Sequence, residues 1–109
     1  MKVLTPGHEY ELSHLDGDNT QILRFVNRGN GNDCEGVTNQ EVIRALIDRV
    51  IFLESQVHWD LNKDIINHLR SALVLHEARA LIRKTEKGKL LPELLSIGND
   101  GHFIIQQGQ

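Results

Sequence analysis

The stretch "TNQEVIRALIDRVIFLESQV" (38–57) constrains this chain more than any other. Glu41 stands three residues after Thr38, the capping-box spacing in which each side chain satisfies the other's backbone N–H at a helix start. Val42, Leu46, Val50, Leu53 and Val57 then recur at steps of three and four, and Ile43, Ile47 and Ile51 widen the stripe. This pattern predicts a helix over about 38–57. Only "HWDLN" (58–62) separates it from the next periodic segment, so the chain must turn back on itself, with Asp60 or Asn62 as the next N-cap. In the second helix Ile65, Ile66, Leu69, Ala72, Leu73, His76 and Ala80 form the inner face, and Gly88 stands where a C-terminal glycine belongs. About 26 residues at ~1.5 Å each make a rod of roughly 39 Å. Two helices with stripes this wide cannot cover each other fully, so part of the core is expected between subunits, in a homo-oligomer joined through the helices.

The segment before the helices has the period of strands. In "HEYELSHL" Tyr10 and Leu12 alternate with Glu9 and Glu11; "DGDN" (16–19) tolerates a tight turn; in "TQILRFVN" Leu23 and Phe25 fall on one face, Ile22, Arg24 and Val26 on the other. "RGNGNDCEG" (28–36) has no apolar period and is expected to be a loop. In the tail, "LLSIGNDGHFIIQQ" resembles a second hairpin around Asn99–Gly101, and Pro92 bars the long helix from continuing. The fold class expected is therefore α+β: an N-terminal antiparallel β-hairpin or small sheet, then a long antiparallel two-helix hairpin. Residues 1–109 are read as a single domain, with hairpin and loop over 8–36, helices over 38–88 and tail over 89–109.

Composition narrows the function. Twelve Lys and Arg against fifteen Asp and Glu give a net charge of −3 and a pI near 6.0, which disfavours a protein that grips a nucleic-acid polymer through its phosphates. Cys34 is the only cysteine, so neither an intramolecular disulfide nor a cysteine-based zinc site is expected. The start, "MKVLTPGHEYEL", lacks the apolar run of a signal peptide, and no stretch has the length of a membrane span. A cytoplasmic location without membrane attachment is expected.

No catalytic constellation emerges. His58, His68 and His76 are the plausible metal trio among six histidines, but no pair has the spacing of a helical zinc motif; "HE" at 76–77 is followed by Ala80 where a histidine would be needed. No metal, no cofactor and no enzymatic activity are expected. The local concentration of charge lies on the second helix, where Arg79 and Arg83 stand one turn apart with Lys84, Lys87 and Lys89 beyond. Cations near a helix C-terminus complement its dipole and need no ligand; equally, two guanidinium groups at that spacing can fork onto the oxygens of a diphosphate. Phe52 lies toward the flank of its helix if Ile51 and Leu53 serve the core, either against a partner or as a platform for a base. Asn62 is either an N-cap or a polar arm, and Arg44 and Asp48 have the spacing of a surface pair.

In order and motif, "HEYEL…LRFV", "GVTNQEVIRALIDRVIFLE", a short connection with an asparagine, and "HLRSALVLHEARALIR" resemble the Thoeris anti-defence (Tad) family of phage proteins, the helical-hairpin group shared with phage anti-CBASS sponges. The resemblance covers about residues 8–87 and is most specific in "TNQEVIRALIDR" and the arginine pair. It implies a symmetric oligomer, often a hexamer, that sequesters cyclic nucleotide immune signals without degrading them: cyclic ADP-ribose isomers, and in some members cyclic di- or trinucleotides at a separate site. It further implies that Phe52 stacks on adenine, Asn62 hydrogen-bonds the ligand and Arg79 with Arg83 clamps the diphosphate. The second site would draw on Arg28, Thr38 and Asn39. Past Arg83, "KTEKGKLLPELLSIGNDGHFII" departs from the basic stretch and Gly-Val-Glu-Gly segment usual in the family. Two rivals stand beside this expectation: a small oligomeric phage protein that inhibits a host factor by protein–protein contact, and a weak hydrolase of the same ligands.

Overall fold

The computed structural model describes residues 1–28, 33–86, 95–97 and 103–105 of the 109-residue chain. Two compact units divide it, residues 1–39 and 40–109.

The first unit is a three-stranded antiparallel sheet, in the order β1 (Lys2–Thr5), β2 (Glu9–Ser13), β3 (Thr20–Arg24). The periodicity of residues 8–27 gave two strands; β1 is an addition. It arises from "TPGH", in which the His8 N–H donates to the Thr5 carbonyl at 2.9 Å and Gly7 has φ 79°. Proline at the second position and a left-handed glycine at the third are the requirements of a type II turn. β2 and β3 pair in register from Glu9↔Arg24 to Ser13↔Thr20, which sets "DGDN" inside the connecting turn. Across them Arg24 Nε donates to Glu9 Oε2 at 3.0 Å, and Thr5 Oγ1 donates to Glu9 Oε1 at 2.7 Å. These two bonds, the threonine's first, hold the Glu9 carboxyl below the usual glutamate value of 4.5. On the sheet's better-covered face Tyr10 meets Phe25 edge to face, ring centroids 6.0 Å apart.

The segment expected to be a plain loop returns to the sheet. Val26 N–H donates to the Val37 carbonyl and Val37 N–H to that of Arg24, while Asn27 and Cys34 exchange both backbone bonds. Gly36 makes the return possible: a Cβ there would come within 2.5 Å of the Phe25 carbonyl carbon and 2.6 Å of the Arg24 oxygen, both backbone atoms that cannot swing aside.

The second unit is built on α1 (Asn39–Gln56) and α2 (Asn62–Glu86). α1 starts one residue after Thr38, where the capping box placed it. Within the helices the buried apolar residues are Ile47, Leu73 and Leu81, with Asn62 as the buried polar residue. The centre of the α1 stripe is therefore Ile47, flanked by half-buried Ile43 and Val50. Leu46, Ile51, Leu53 and Val57, expected inside, stay exposed, Val57 at 75%. On α2, Leu73 is wholly buried while Leu75 and Ile82 face outward. Arg44 was expected to pair with Asp48; instead it bridges the helices, its Nη2 donating to Glu77 on α2, with Glu41 at 3.4 Å from Nη1. A cross-hairpin partner wins because it is half-buried, whereas the Asp48 position is open to water. In the tail, β4 (Leu95–Ile97) and β5 (Phe103–Ile105) pair antiparallel, as the hairpin expected there requires. The expected turn at 99–101, Pro92 and the expected stop at Gly88 lie outside the described residues. Among the described residues no helix is long and apolar enough to cross a membrane.

Gly36→Ala should cost roughly 1–3 kcal/mol, the range for forcing atoms into a closed space. Thermal unfolding followed by the Tyr10 near-ultraviolet signal reads this; an unchanged midpoint would show that the return segment can pull away from the sheet at no cost.

Candidate functional site

The helical hairpin turns on one carboxylate. α1 ends with the Val57 N–H bonded to the Leu53 carbonyl, and the chain then reverses over His58–Leu61. The first bond of α2 runs from the Ile65 N–H to the Leu61 carbonyl, so neither Asp60 nor Asn62 is the cap the sequence offered. Glu54 instead holds the connection. Its Oε1 accepts the Trp59 backbone N–H at 3.0 Å, it lies 2.6 Å from His58 Nδ1, and it also bonds the Asn62 side chain. The Trp59 bond, foremost, keeps the Glu54 carboxyl below 4.5. On its other side His58 Nε2 is 2.8 Å from Asp60 Oδ1. Both imidazole nitrogens face carboxylates and both can donate only when the ring is protonated. Asp60, then Glu54, therefore raise the His58 pKa above 6.5.

Around this turn lies a cleft with a volume of about 410 Å3. Glu54 of α1, His58, Trp59 and Asp60 of the turn, and Lys63, Ile66, Asn67 and Arg70 of α2 line it. Lys63, Asn67 and Arg70 share one helix face because they are spaced four and three apart. Trp59 is half exposed at 54%. The sequence reading missed this group; the i, i+4, i+7 run of polar side chains beginning beside the only tryptophan was its signal.

The residues singled out in the sequence fall in several places. Phe52 is on α1, 59% exposed, and free of the core. Ile51 and Leu53 beside it are exposed as well, so the premise that they serve this chain's core is corrected. Asn62 is 9% exposed, with its amide committed to Glu54. Arg79 and Arg83 are exposed on α2 and make no ion pair among the described residues. A rise of ~1.5 Å per residue puts Arg79 about 26 Å and Arg83 about 32 Å along α2 from Asn62. Phe52 lies near the C-terminal end of α1, which the antiparallel return sets beside Asn62. One chain thus carries Phe52 and Asn62 at one end of its hairpin and both arginines at the other; it does not bring the four together. Arg28 and Thr38 are exposed where the return segment of the first unit begins and ends, and Asn39 opens α1. Among the described residues no group of three His, Cys, Asp or Glu side chains is disposed to hold a metal ion, the His58, His68 and His76 trio included.

Protonation of this connection has a definite sign. His58, raised, contributes stability that is full below pH 6.5 and is lost as pH climbs through its raised value. Glu54, lowered, contributes stability that is full above pH 4.5 and is lost as pH falls through its lowered value. The melting temperature should therefore be highest between these two values, and His58→Gln should flatten the alkaline arm while weakening, without removing, the acid arm, which rests first on the Trp59 bond. A His58 ring that titrates at or below 6.5 by NMR would contradict the geometry. No family model matches the chain, and no curated protein or solved structure matches it either.

Proposed function

We propose that this protein is a non-enzymatic binder that sequesters a cyclic nucleotide signal, of the cyclic ADP-ribose or cyclic oligonucleotide class, and so blunts Thoeris and CBASS immunity in the host cytoplasm. The observation that carries the reading is the disposition of Arg79 and Arg83. Two exposed guanidinium groups one turn apart, without carboxylate partners among the described residues, can take the two phosphates of a diphosphate in parallel hydrogen bonds. Charge-assisted bonds contribute about 1.5–3 kcal/mol each and base stacking on an aromatic ring about 1–3 kcal/mol. Sequestration needs only affinity above that of the host receptor.

The base platform must come from a second copy. Phe52 is far along the hairpin from the arginines of its own chain, and the apolar surface left open on both helices, Leu46, Leu53 and Val57 with Leu75 and Ile82, is the surface that such copies would cover. Head-to-tail apposition of two hairpins sets Phe52 of one against Arg79 and Arg83 of the next, and closure of the assembly, as in a hexamer, repeats the pocket. Asn62 serves this site from behind, by fixing the turn that carries the Phe52 end. Arg28, Thr38 and Asn39 remain the candidates for a separate cyclic oligonucleotide site.

The test is a thermal-shift panel of cyclic ADP-ribose isomers and cyclic di- and trinucleotides. Ligand at about 100 times its Kd adds about 2.7 kcal/mol, several degrees in a chain of this size. One ligand should raise the melting temperature and return chemically intact after denaturation; Arg79→Ala and Arg83→Ala should each abolish the shift with the oligomer preserved. Recovery of cleaved nucleotide would replace sequestration with hydrolysis. Silence across the panel from a folded oligomer would favour the reading in which the open apolar surface inhibits a host factor by protein contact. Separately, Leu75→Asp should lower the mass measured by light scattering; an unchanged mass would remove that face from the assembly.

A further inference from the structure

The cleft at the hairpin turn is separated from Arg79 by more than two turns of α2, and its carboxylates and permanent cations are not paired with each other. Its two carboxylates are occupied: Glu54 takes the Trp59 N–H, Asn62 and His58, and Asp60 takes the other nitrogen of His58. Its two permanent cations are not. Lys63 and Arg70 form no ion pair among the described residues, and Arg70 Nε is closed off from solvent without an acceptor. A buried charged donor without a partner is rare in folded proteins, and its desolvation is an outright cost that a bound acceptor would remove. The α2 N-terminus, one residue before Lys63, adds positive potential on the same side. The half-exposed indole of Trp59 and the Asn67 amide line the same cleft as these two cations. The volume of about 410 Å3 is within the range of small-molecule sites and far larger than a single inorganic ion needs.

We propose that this cleft is a second, independent binding site for a planar anion: an aromatic or heteroaromatic ring carrying a phosphate, as in a nucleoside monophosphate. The phosphate lies against Lys63 and Arg70, the ring stacks on Trp59, and Asn67 reaches the polar edge between them. Arginine supplies two donors to phosphate oxygens and lysine a point charge; an indole face accepts any base. The site lies within one chain, so it does not rest on the sequestration reading, which needs two.

Trp59 is the only tryptophan, so its fluorescence in the full chain reports the cleft alone. AMP should quench it saturably, with adenosine (ring without charge) and inorganic phosphate (charge without ring) each at least tenfold weaker. Lys63→Gln and Arg70→Gln should each weaken AMP tenfold or more, Arg70→Lys less, and Arg79→Ala not at all. Lys63 is exposed, so its variant keeps the test valid should Arg70→Gln fail to fold. Equal response to AMP and adenosine, or full AMP affinity in Lys63→Gln, overturns the anion site. So does a Trp59 spectrum that shifts on dilution of the protein and ignores AMP, because a second copy would then fill the cleft. Loss of AMP binding in Arg79→Ala would instead assign the signal to the arginine pair.

Discussion

The second unit depends on what Glu54 does at the end of α1. A helix that stops leaves carbonyls and then N–H groups without partners, and a four-residue reversal offers few ways to satisfy them. One carboxylate meets the Trp59 N–H, the His58 ring and the Asn62 amide together, so the exit of α1 and the entry of α2 are tied to a single point. The direction of α2 follows, then the approach of Arg44 to Glu77 further along, and the burial of Ile47 on α1 and Leu73 on α2. With so few apolar side chains enclosed among the described residues, the polar fastenings at the turn and mid-hairpin contribute a larger share of the specificity than in a domain with a deep core.

How much was legible in the sequence depended on how local the cause was. The α1 start was readable because Thr38 and Glu41 act across one turn. The strands β2 and β3 were readable because alternation over five residues has no helical explanation. β1 was missed because "KVLT" is too short to show a period; its mark was the turn after it, Pro6 followed by Gly7. The return of Val37 to Phe25 and the reach of Arg44 to Glu77 could not be read, because each joins positions whose separation the sequence does not encode locally. The wide α1 stripe was visible, but which part of it faces inward was not: Ile47 and Leu53 have the same chemistry, and only the crossing of α2 separates them.

The candidate residues divide along the same line. Arg79 and Arg83 were found by spacing alone, and the structure leaves them exposed and unmatched by carboxylates among the described residues. Asn62 was found as a polar residue at a hinge, and burial gives it a first duty to Glu54. The cleft of Trp59, Lys63, Asn67 and Arg70 was overlooked because its cations are dispersed over two turns rather than clustered, and a charge that is dispersed in sequence is conspicuous only when its neighbours prove to be taken.

The length of the hairpin has a further consequence. Because the aromatic and the arginine ends are separated by most of α2, no isolated chain holds a complete pocket of the proposed kind, and under that proposal each contact between copies would create one. Capacity would then follow the associated fraction of the protein rather than its total amount. Below the concentration at which copies associate, capacity would vanish and captured ligand would be released. Ligand bridging two copies would itself favour association. Under the proposed function, the response to accumulating protein would therefore be a threshold that the ligand itself sharpens.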